Sequence, residues 1–484
     1  MQKVLSSIER RTKIVATLGP ASSCVEVLSD LIEAGVDVFR LNFSHGCHAD
    51  HSKAIKIVRE QATLKNRHVG IMGDLQGPKI RLGQLQQDSM ELANGQEIVL
   101  TIDASSADSL KNRVHVTYEP LPTSVHAEDI LLLDDGRIRL LVKSTSSTDV
   151  VCEVTQAGPL SSRKGINRLG GGLAADAITE KDLEDLQCII ENNLEFVAVS
   201  FPCRGSDLLP VRDALTKAGS EAKIIAKIER AEVVANDANL QELIDAADGV
   251  MVARGDLGVE IGDPQLIGIQ KKIIKMARKS NKPVITATQM MESMITQPVP
   301  TRAEVFDVAN AVLDCTDAVM LSGETATGAF PVKVVEAMSE TAIGAEKHPT
   351  MVQSGYRLER IFTESNECIA LSAMYAANHL EGISAIVCLS ESGNTPLIAS
   401  RIRSGLPIYG VSRNLMACRR MALMRGVIPL YFDPTQSGDV GEAIMSLIAE
   451  RGELLSGQRI AFTCGDSPGE GGSSNTLKLL TYRA

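Results

Sequence analysis

The chain has 484 residues, 44% of them hydrophobic, and a formal net charge of −11. That length exceeds one ordinary core and predicts two to four domains, while the apolar share argues against wholesale disorder. With no long basic run, nucleic acid is an improbable main partner, and no apolar run is long enough to span a membrane.

The N-terminal MQKVLSSIERR lacks the apolar core of a secretory signal, and the ten cysteines are scattered without a CxxC pair. Both features predict a cytoplasmic protein with reduced thiols, without a disulfide framework or a zinc site.

Short apolar runs then recur with helical patterns between them. They are KIVATLG (13–19), VDVFRLNFS (36–44) and HVGIMGDLQG (68–77). After a gap come LEFVAVSF (194–201), KIIAKIE (223–229), GVMVARGDLG (249–258), PVITATQM (283–290) and DAVMLSGE (317–324). Eight strands at βα spacing predict a closed (β/α)8 TIM barrel. Between the third and fourth, from about 81 to 165, the pattern alternates with period two, which predicts a small all-β insertion with a hairpin turn at Asp134-Asp135-Gly136. Gly170-Gly171-Gly172 marks the return to the barrel, and Thr179 with Asp182 predicts a capped helix start. Past 345, one amphipathic helix and the strands AIVCLS, IYGVS, VIPLYF and RIAFTCG predict a C-terminal α/β domain. The expected division is barrel 1–78, an inserted β-barrel domain 79–172, barrel 173–344 and α/β domain 345–484.

Polar residues mass at the C-terminal ends of the barrel strands, where barrel active sites lie. Strand two ends in Arg40, Asn42, Ser44 and His45; strand three in Asp74, Leu75 and Lys79, followed by Arg81. Strand five ends in Lys227 and Glu229, six in Arg254-Gly255-Asp256, seven in Thr288, and eight in Ser322-Gly323-Glu324. Lys227 and Glu229 are two apart in a strand, so they share a face. They are either a buried ion pair or a site. Glu229 and Asp256, completed by water and substrate oxygens, suit Mg2+ or Mn2+; the plainer reading is a salt-bridge network with Lys227 and Arg254. Gly255 would open backbone N–H groups to an anion or merely turn the chain. Thr288 and His45 read equally well as packing and turn-capping residues. Together the groups describe a metal-centred cleft for polyanions, suited to phosphoryl transfer or enolate chemistry.

RTKIVATLGP, RLNFSHG, GDLQGPKIR, KIERAE, MVARGDLGVE, TATQMMESMI, PTRAEVFDVANAVLD and MLSGETA resemble the pyruvate kinases in order and spacing from about residue 10 onward. The resemblance implies transfer of the phosphoryl group of phosphoenolpyruvate to ADP, giving pyruvate and ATP. It implies that Arg40 holds the phosphoryl group, Lys227 neutralises its charge, and Glu229 and Asp256 bind Mg2+. Gly255, Asp256 and Thr288 would hold the substrate, with Thr288 near the proton path to the enolate. Arg81, Lys164, His45 and Asn42 would meet the nucleotide, under the insertion as a lid. Asn42, Ser44, Asp74 and the Leu75 carbonyl resemble the family's K+ pocket. Lys79 stands where many relatives that need K+ carry glutamate, so its ammonium is expected to replace the ion. The resemblance further implies a homotetramer and an effector phosphate loop at Ser390, Ser392, Asn394 and Thr395. Asn394 and the acidic distal loop SPGEGGSS (467–474) replace basic residues of some relatives, which favours a sugar monophosphate or nucleotide over a bisphosphate. A metal-dependent lyase or aldolase forming a pyruvate enolate, and a catalytically silent regulator, are the alternatives that a turnover assay separates.

Overall fold

The computed structural model describes residues 10–173, 177–352, 357, 359–466 and 474–483. The starting stretch MQKVLSSIE and the SPGEGGS part of the distal loop lie outside them.

All eight expected barrel strands form, as Lys13–Thr17, Val38–Asn42, Gly70–Asp74, Phe196–Val199, Lys223–Ile228, Gly249–Ala253, Val284–Ala287 and Ala318–Leu321. They pair in parallel, in chain order, and the first closes on the last. Strands covered on both faces need continuous apolar sequence rather than alternation, which is what these runs supply. Outward side chains pack against the surrounding helices, while Val15, Met72, Ile225, Met251 and Ile285 fill the barrel interior. The helix Glu180–Glu191 starts at Thr179, whose hydroxyl and the Asp182 carboxylate form the expected capping box.

The insertion is mainly rather than wholly β, with two 3-10 turns and a short helix, Leu121–Ser124, and it is not a single closed sheet. It forms a six-stranded sheet and a separate two-stranded one. Register shifts within the pairing of Ile138–Thr145 with Asp149–Gln156 bend the larger sheet. Its edge strands, Arg113–His115 and Ile166–Arg168, are linked through the 80–83 segment, which hydrogen-bonds to both, with bridges from Leu82 to Val116 and from Arg81 to Gly165. Leu133 pairs with Ile138, so residues 134–137 make the expected hairpin turn, with positive φ at Asp134, Asp135 and Gly136. The chain returns to the barrel through Gly170, Gly171 and Gly172, all at positive φ, and a Cβ on Gly171 would collide with the Glu232 carboxylate.

The C-terminal domain is a five-stranded sheet with parallel strands Ile383–Leu389, Ile408–Ser412, Val427–Tyr431 and Arg459–Gly465. A fifth strand, Ser474–Thr481, pairs antiparallel with Arg459–Gly465; it was not anticipated, because SNTLKLLT carries no clean alternation. This domain is bolted to the barrel floor. Arg401 and Asp317 form an ion pair with both side chains fully buried, and Asp317 also accepts the Arg425 N–H at 3.0 Å. Glu346 receives the Thr12 N–H at 2.7 Å and the Arg425 guanidinium at 3.3 Å. Lys13 Nζ donates to the Val427 carbonyl at 2.7 Å. Among the described residues no helix is long and apolar enough to cross a membrane.

Candidate active site

The floor of the site is a buried charge network at the ends of strands two, three and five. Arg40 Nε donates to Asp74 Oδ2 at 2.6 Å, and its Nη1 donates to Thr17 Oγ1 at 3.1 Å. Lys227 Nζ donates to Ser200 Oγ at 2.7 Å and lies 3.0 Å from Glu229 Oε1 and 3.4 Å from Asp74 Oδ1. Lys227 and Glu229 thus meet as their spacing requires. Burial opposes charge on Lys227, yet Asp74 and Glu229 outweigh it, and its pKa is raised above the ordinary lysine value. Burial also disfavours the Asp74 carboxylate, but Arg40 and then Lys227 hold its pKa below the usual range. Glu229 goes the other way. Its pKa is raised by burial, with Lys227 opposing and the negative charge of Asp256 adding to the rise.

Strands six and seven supply a second group. Gly255 and Asp256 lie in the first turn of the helix Arg254–Ile261. The Gly255 N–H donates to Thr288 Oγ1 at 2.8 Å, and that hydroxyl donates to the Ala287 carbonyl at 2.6 Å. A Cβ on Gly255 would sit 3.6 Å from Thr288 Oγ1, an ordinary contact, so no turn demands glycine here. Arg254 takes no part in the carboxylate network. It donates to Asp307 Oδ1 at 2.7 Å and to the Thr288 carbonyl at 2.6 Å, holding the strand-seven exit in place. Thr288 and Gln289 have φ of 67° and 54°, a left-handed conformation that non-glycine residues rarely adopt.

Lys79 does not reach Asp74. Its ammonium lies 3.3 Å from Asp256 Oδ1 and 3.7 Å from Asp135 Oδ1 in the insertion's hairpin turn. The expected K+ donors are engaged elsewhere. The Leu75 carbonyl accepts from Ser200 Oγ at 2.7 Å, Asn42 Oδ1 accepts the Ser44 N–H at 3.1 Å, and Arg40 and Lys227 flank Asp74. These partners leave each of the oxygens further lone pairs. Glu229 and Asp256 fit a divalent cation: they are hard oxygen donors that repel each other's charge. Among the described residues no cluster of three or more His, Cys, Asp or Glu could hold a metal alone, so substrate oxygens and water would complete its shell.

The nucleotide candidates divide between barrel and insertion. Lys164 Nζ lies 2.6 Å from Asp134 Oδ1, and Arg81 Nη1 donates to the Arg163 carbonyl at 3.2 Å, on neighbouring segments joined by the Arg81–Gly165 bridge. His45 is exposed, and its carbonyl accepts from His51 Nε2 at 3.0 Å. The Ser390–Thr395 loop is separate, in the C-terminal domain. Gly393, with φ of 86°, donates its N–H to Ser390 Oγ at 3.0 Å. Ser392 and Asn394 are exposed, but Thr395 is buried and its hydroxyl pairs with Ser474 at 2.8 Å.

Three site residues were missed. Thr17 ends strand one and Ser200 and Phe201 follow strand four, the two strand ends that carry no charged residue. Ser200 joins Lys227 to the Leu75 carbonyl. Phe201, at φ of 60°, donates its N–H to Glu229 Oε2 at 2.8 Å. The rule that found the other rim residues finds Thr17 and Ser200; an aromatic side chain gives no hint of a working backbone N–H.

Two family models match the chain: the pyruvate kinase barrel domain over residues 9–335, and the pyruvate kinase alpha/beta domain over 367–480. The chain is 51% identical over 474 residues to pyruvate kinase II of Salmonella typhimurium, covering 98% of both. It is 50% identical over 457 residues to a pyruvate kinase of Haemophilus influenzae, covering 94% of this chain and 96% of that one. A crystal structure of a pyruvate kinase from Cryptosporidium parvum superposes with a TM-score of 0.91 at 34% identity, covering 99% of each chain.

Proposed function

The chain belongs to the pyruvate kinase family and is a glycolytic phosphotransferase, and we propose that it moves the phosphoryl group of phosphoenolpyruvate to ADP through the cluster around Lys227. The observation that carries this reading is the Lys227 ammonium, kept charged between Asp74 and Glu229 at the barrel mouth. A positive charge fixed there is pre-organised for charge that develops on a phosphoryl group in flight and on the enolate left behind.

In this reading Arg40, oriented by Asp74 and Thr17, grips the phosphoryl oxygens, and Lys227 neutralises them in transit. The bond from phosphorus to the enol oxygen breaks as the one to the ADP β-phosphate oxygen forms. The resulting enolate is protonated on carbon to give pyruvate. Thr288 and the Gly255–Asp256 segment hold the substrate carboxylate, with the Thr288 hydroxyl beside the proton path. Glu229, aimed by the Phe201 N–H, and Asp256 hold Mg2+ or Mn2+. The metal, when bound, neutralises phosphate and enolate charge. Asn42, His45, Arg81 and Lys164 meet the nucleotide as the insertion closes over it.

The family generally uses Mg2+ and K+. Here Lys79 supplies the monovalent charge from beside Asp256, and no step depends on K+. The domain divisions at 78, 172 and 344, a homotetramer and a cytoplasmic location belong to the same proposal. Val299 and Phe306, each about two-thirds exposed on the barrel, offer apolar surface for assembly. A sugar phosphate or nucleotide effector acts through Ser390, Ser392, Asn394 and Thr395. The test is turnover by purified protein: pyruvate must form from phosphoenolpyruvate only when ADP and a divalent cation are both present. Pyruvate formation without ADP supports the lyase reading instead, and no turnover at all supports the silent regulator.

A further inference from the structure

The segments KIERAE and MVARGDLGVE carry charged residues that the site above leaves unused: Arg230, Glu232 and Glu260. They meet where the insertion returns to the barrel. Glu260 stands in the last turn of the helix Arg254–Ile261 and is 1% exposed. Its carboxyl accepts the Ala231 N–H at 2.8 Å and the Asn167 side-chain amide at 3.3 Å, and its carbonyl accepts the Gly170 N–H at 2.8 Å. Arg230 Nη2 donates to the Leu173 carbonyl at 2.6 Å and to Glu232 Oε1 at 3.2 Å, while its Nε lies 3.5 Å from Glu260 Oε1. Glu232 in turn accepts the Gly172 N–H. Asn167 belongs to the insertion's strand Ile166–Arg168. Asn167, Gly170, Gly172 and Leu173 are thus each tied to one of these three barrel residues.

Two features make this seam more than packing. The first is its dryness. The crevice that Glu260 and Arg230 share with Lys79, Ile166, Leu173 and Phe201 encloses only about 10 Å³, room for about one water at most. Burial keeps the Glu260 carboxyl at about 7 in spite of Arg230, and Glu232 adds to the rise. An ionisable group is costly to seal in this way, and an apolar side chain would fill the same space without the cost. The second feature is the helix itself. Asp256 stands in its first turn, and a Cβ on Gly136, in the insertion's hairpin turn, would sit 4.0 Å from Val259 Cγ1. The insertion therefore rests on this one helix twice, at its hairpin turn and at its return strand. The hairpin turn is also where Asp134 holds Lys164, at 2.6 Å.

We propose that Arg230 and Glu260 are positioning residues for the nucleotide: they latch the segment from Asn167 to Leu173, keep the insertion docked on the helix Arg254–Ile261, and so hold Lys164 within reach of the ADP phosphates. The proposal rests on the nucleotide role given above to Lys164 and Arg81. Both residues act through the insertion rather than on the substrate. When the insertion lifts, the carboxyl and the guanidinium gain water but lose the partners that fix the return strand, so the docked arrangement is held by hydrogen bonds that can re-form at each closure.

The test pairs hydrogen exchange with kinetics on the full-length protein. Asn167→Ala cuts the latch from the insertion side and Glu260→Ala from the barrel side; Asn167→Ala leaves the barrel untouched and decides the matter should Glu260→Ala fail to fold. Without substrates, the peptide spanning 166–173 exchanges roughly tenfold faster in each variant, the scale of a lost buried hydrogen bond, while the barrel strands are unchanged. Half-saturating ADP rises roughly three- to tenfold, whereas turnover at saturating ADP and half-saturating phosphoenolpyruvate stay within about twofold. Glu260→Gln keeps the acceptor for the Ala231 N–H and the shape of a neutral carboxyl, and leaves exchange and half-saturating ADP no higher than in wild type. A merely structural role would not separate ADP from phosphoenolpyruvate. Unchanged exchange at 166–173 in the alanine variants overturns the latch, and faster exchange with unmoved half-saturating ADP overturns its role in positioning the nucleotide. A wild-type protein without ADP-dependent turnover refutes the reading of the site instead, because the exchange measurement needs no activity.

Discussion

Replacing Lys227 by methionine removes one charge while keeping most of the side-chain volume. In the native site the ammonium faces Ser200 Oγ at 2.7 Å, Glu229 Oε1 at 3.0 Å and Asp74 Oδ1 at 3.4 Å. The contact with Asp74 is the longest, and Asp74 keeps Arg40 at 2.6 Å, so that arm is the one free to turn toward a phosphoryl oxygen. One charge about 4 Å from an anion is worth roughly 4 kcal/mol at an effective dielectric near 20. Converted at about 1.4 kcal/mol per decade, and allowing for binding energy already realised in the ground state, turnover falls by roughly 10²- to 10³-fold. Half-saturating phosphoenolpyruvate and Mg2+ change little, because Arg40, Glu229 and Asp256 remain. The variant is also less stable, since stripping one partner from a buried pair costs about 3–5 kcal/mol and Arg40 relieves only the Asp74 side. Steady-state turnover at saturating substrates, with circular dichroism to confirm folding, measures the effect. A folded variant that loses less than about tenfold in turnover would show that the ammonium is structural rather than catalytic.

Glu229→Gln and Asp256→Asn each raise the half-saturating Mg2+ concentration; unchanged metal titrations in both would move the metal elsewhere. Wild-type protein keeps substantial activity in K+-free buffer with a bulky organic counter-cation, and Lys79→Glu, which puts a third carboxylate beside Asp256 and Asp135, introduces K+ dependence. Near-inactivity of the wild type without K+, restored by the ion, refutes the role given to Lys79. Ser392→Ala/Thr395→Ala abolishes activation by a sugar monophosphate or nucleotide without loss of basal rate, and activation that survives detaches the effector from that loop. Burial holds the Glu260 carboxyl up at about 7, so the folded state keeps a proton that the unfolded state sheds near 4.5, and this group makes stability fall as pH rises through that window. Glu260→Gln removes a pH-dependent penalty of about 3 kcal/mol, so its thermal midpoint relative to wild type climbs between pH 5 and pH 8; parallel profiles would contradict the shift.

The barrel was legible because buried parallel strands need unbroken apolar runs, and KIVATLG or GVMVARG has few other uses. Lys227 with Glu229 and Thr179 with Asp182 were legible because their partners lie two and three residues away. Lys79 was not. Its spacing from Asp74 pointed to one carboxylate, but the choice among Asp74, Asp135 and Asp256 is made by how the insertion folds back over the barrel, which no local pattern encodes. Arg254 likewise stood in the right motif, yet its partners are carbonyls at the strand-seven exit and Asp307 on the helix Arg302–Leu313. The Phe201 N–H is invisible for another reason: its use depends on a left-handed φ that an aromatic residue does not advertise.

The fully buried pair of Arg401 and Asp317 has a mechanical consequence. Together with Glu346, Thr12 and Arg425 it leaves the joint beneath the barrel no slack, because any sliding would strand a charge without water or partner. At the opposite end the insertion returns through three glycines at positive φ, and its hold on the barrel includes hydrogen bonds from the Gly170 N–H to the Glu260 carbonyl and from the Gly172 N–H to the Glu232 carboxylate. Those contacts can part without leaving a fully buried charge, so any yielding between domains is cheaper at the mouth than at the floor.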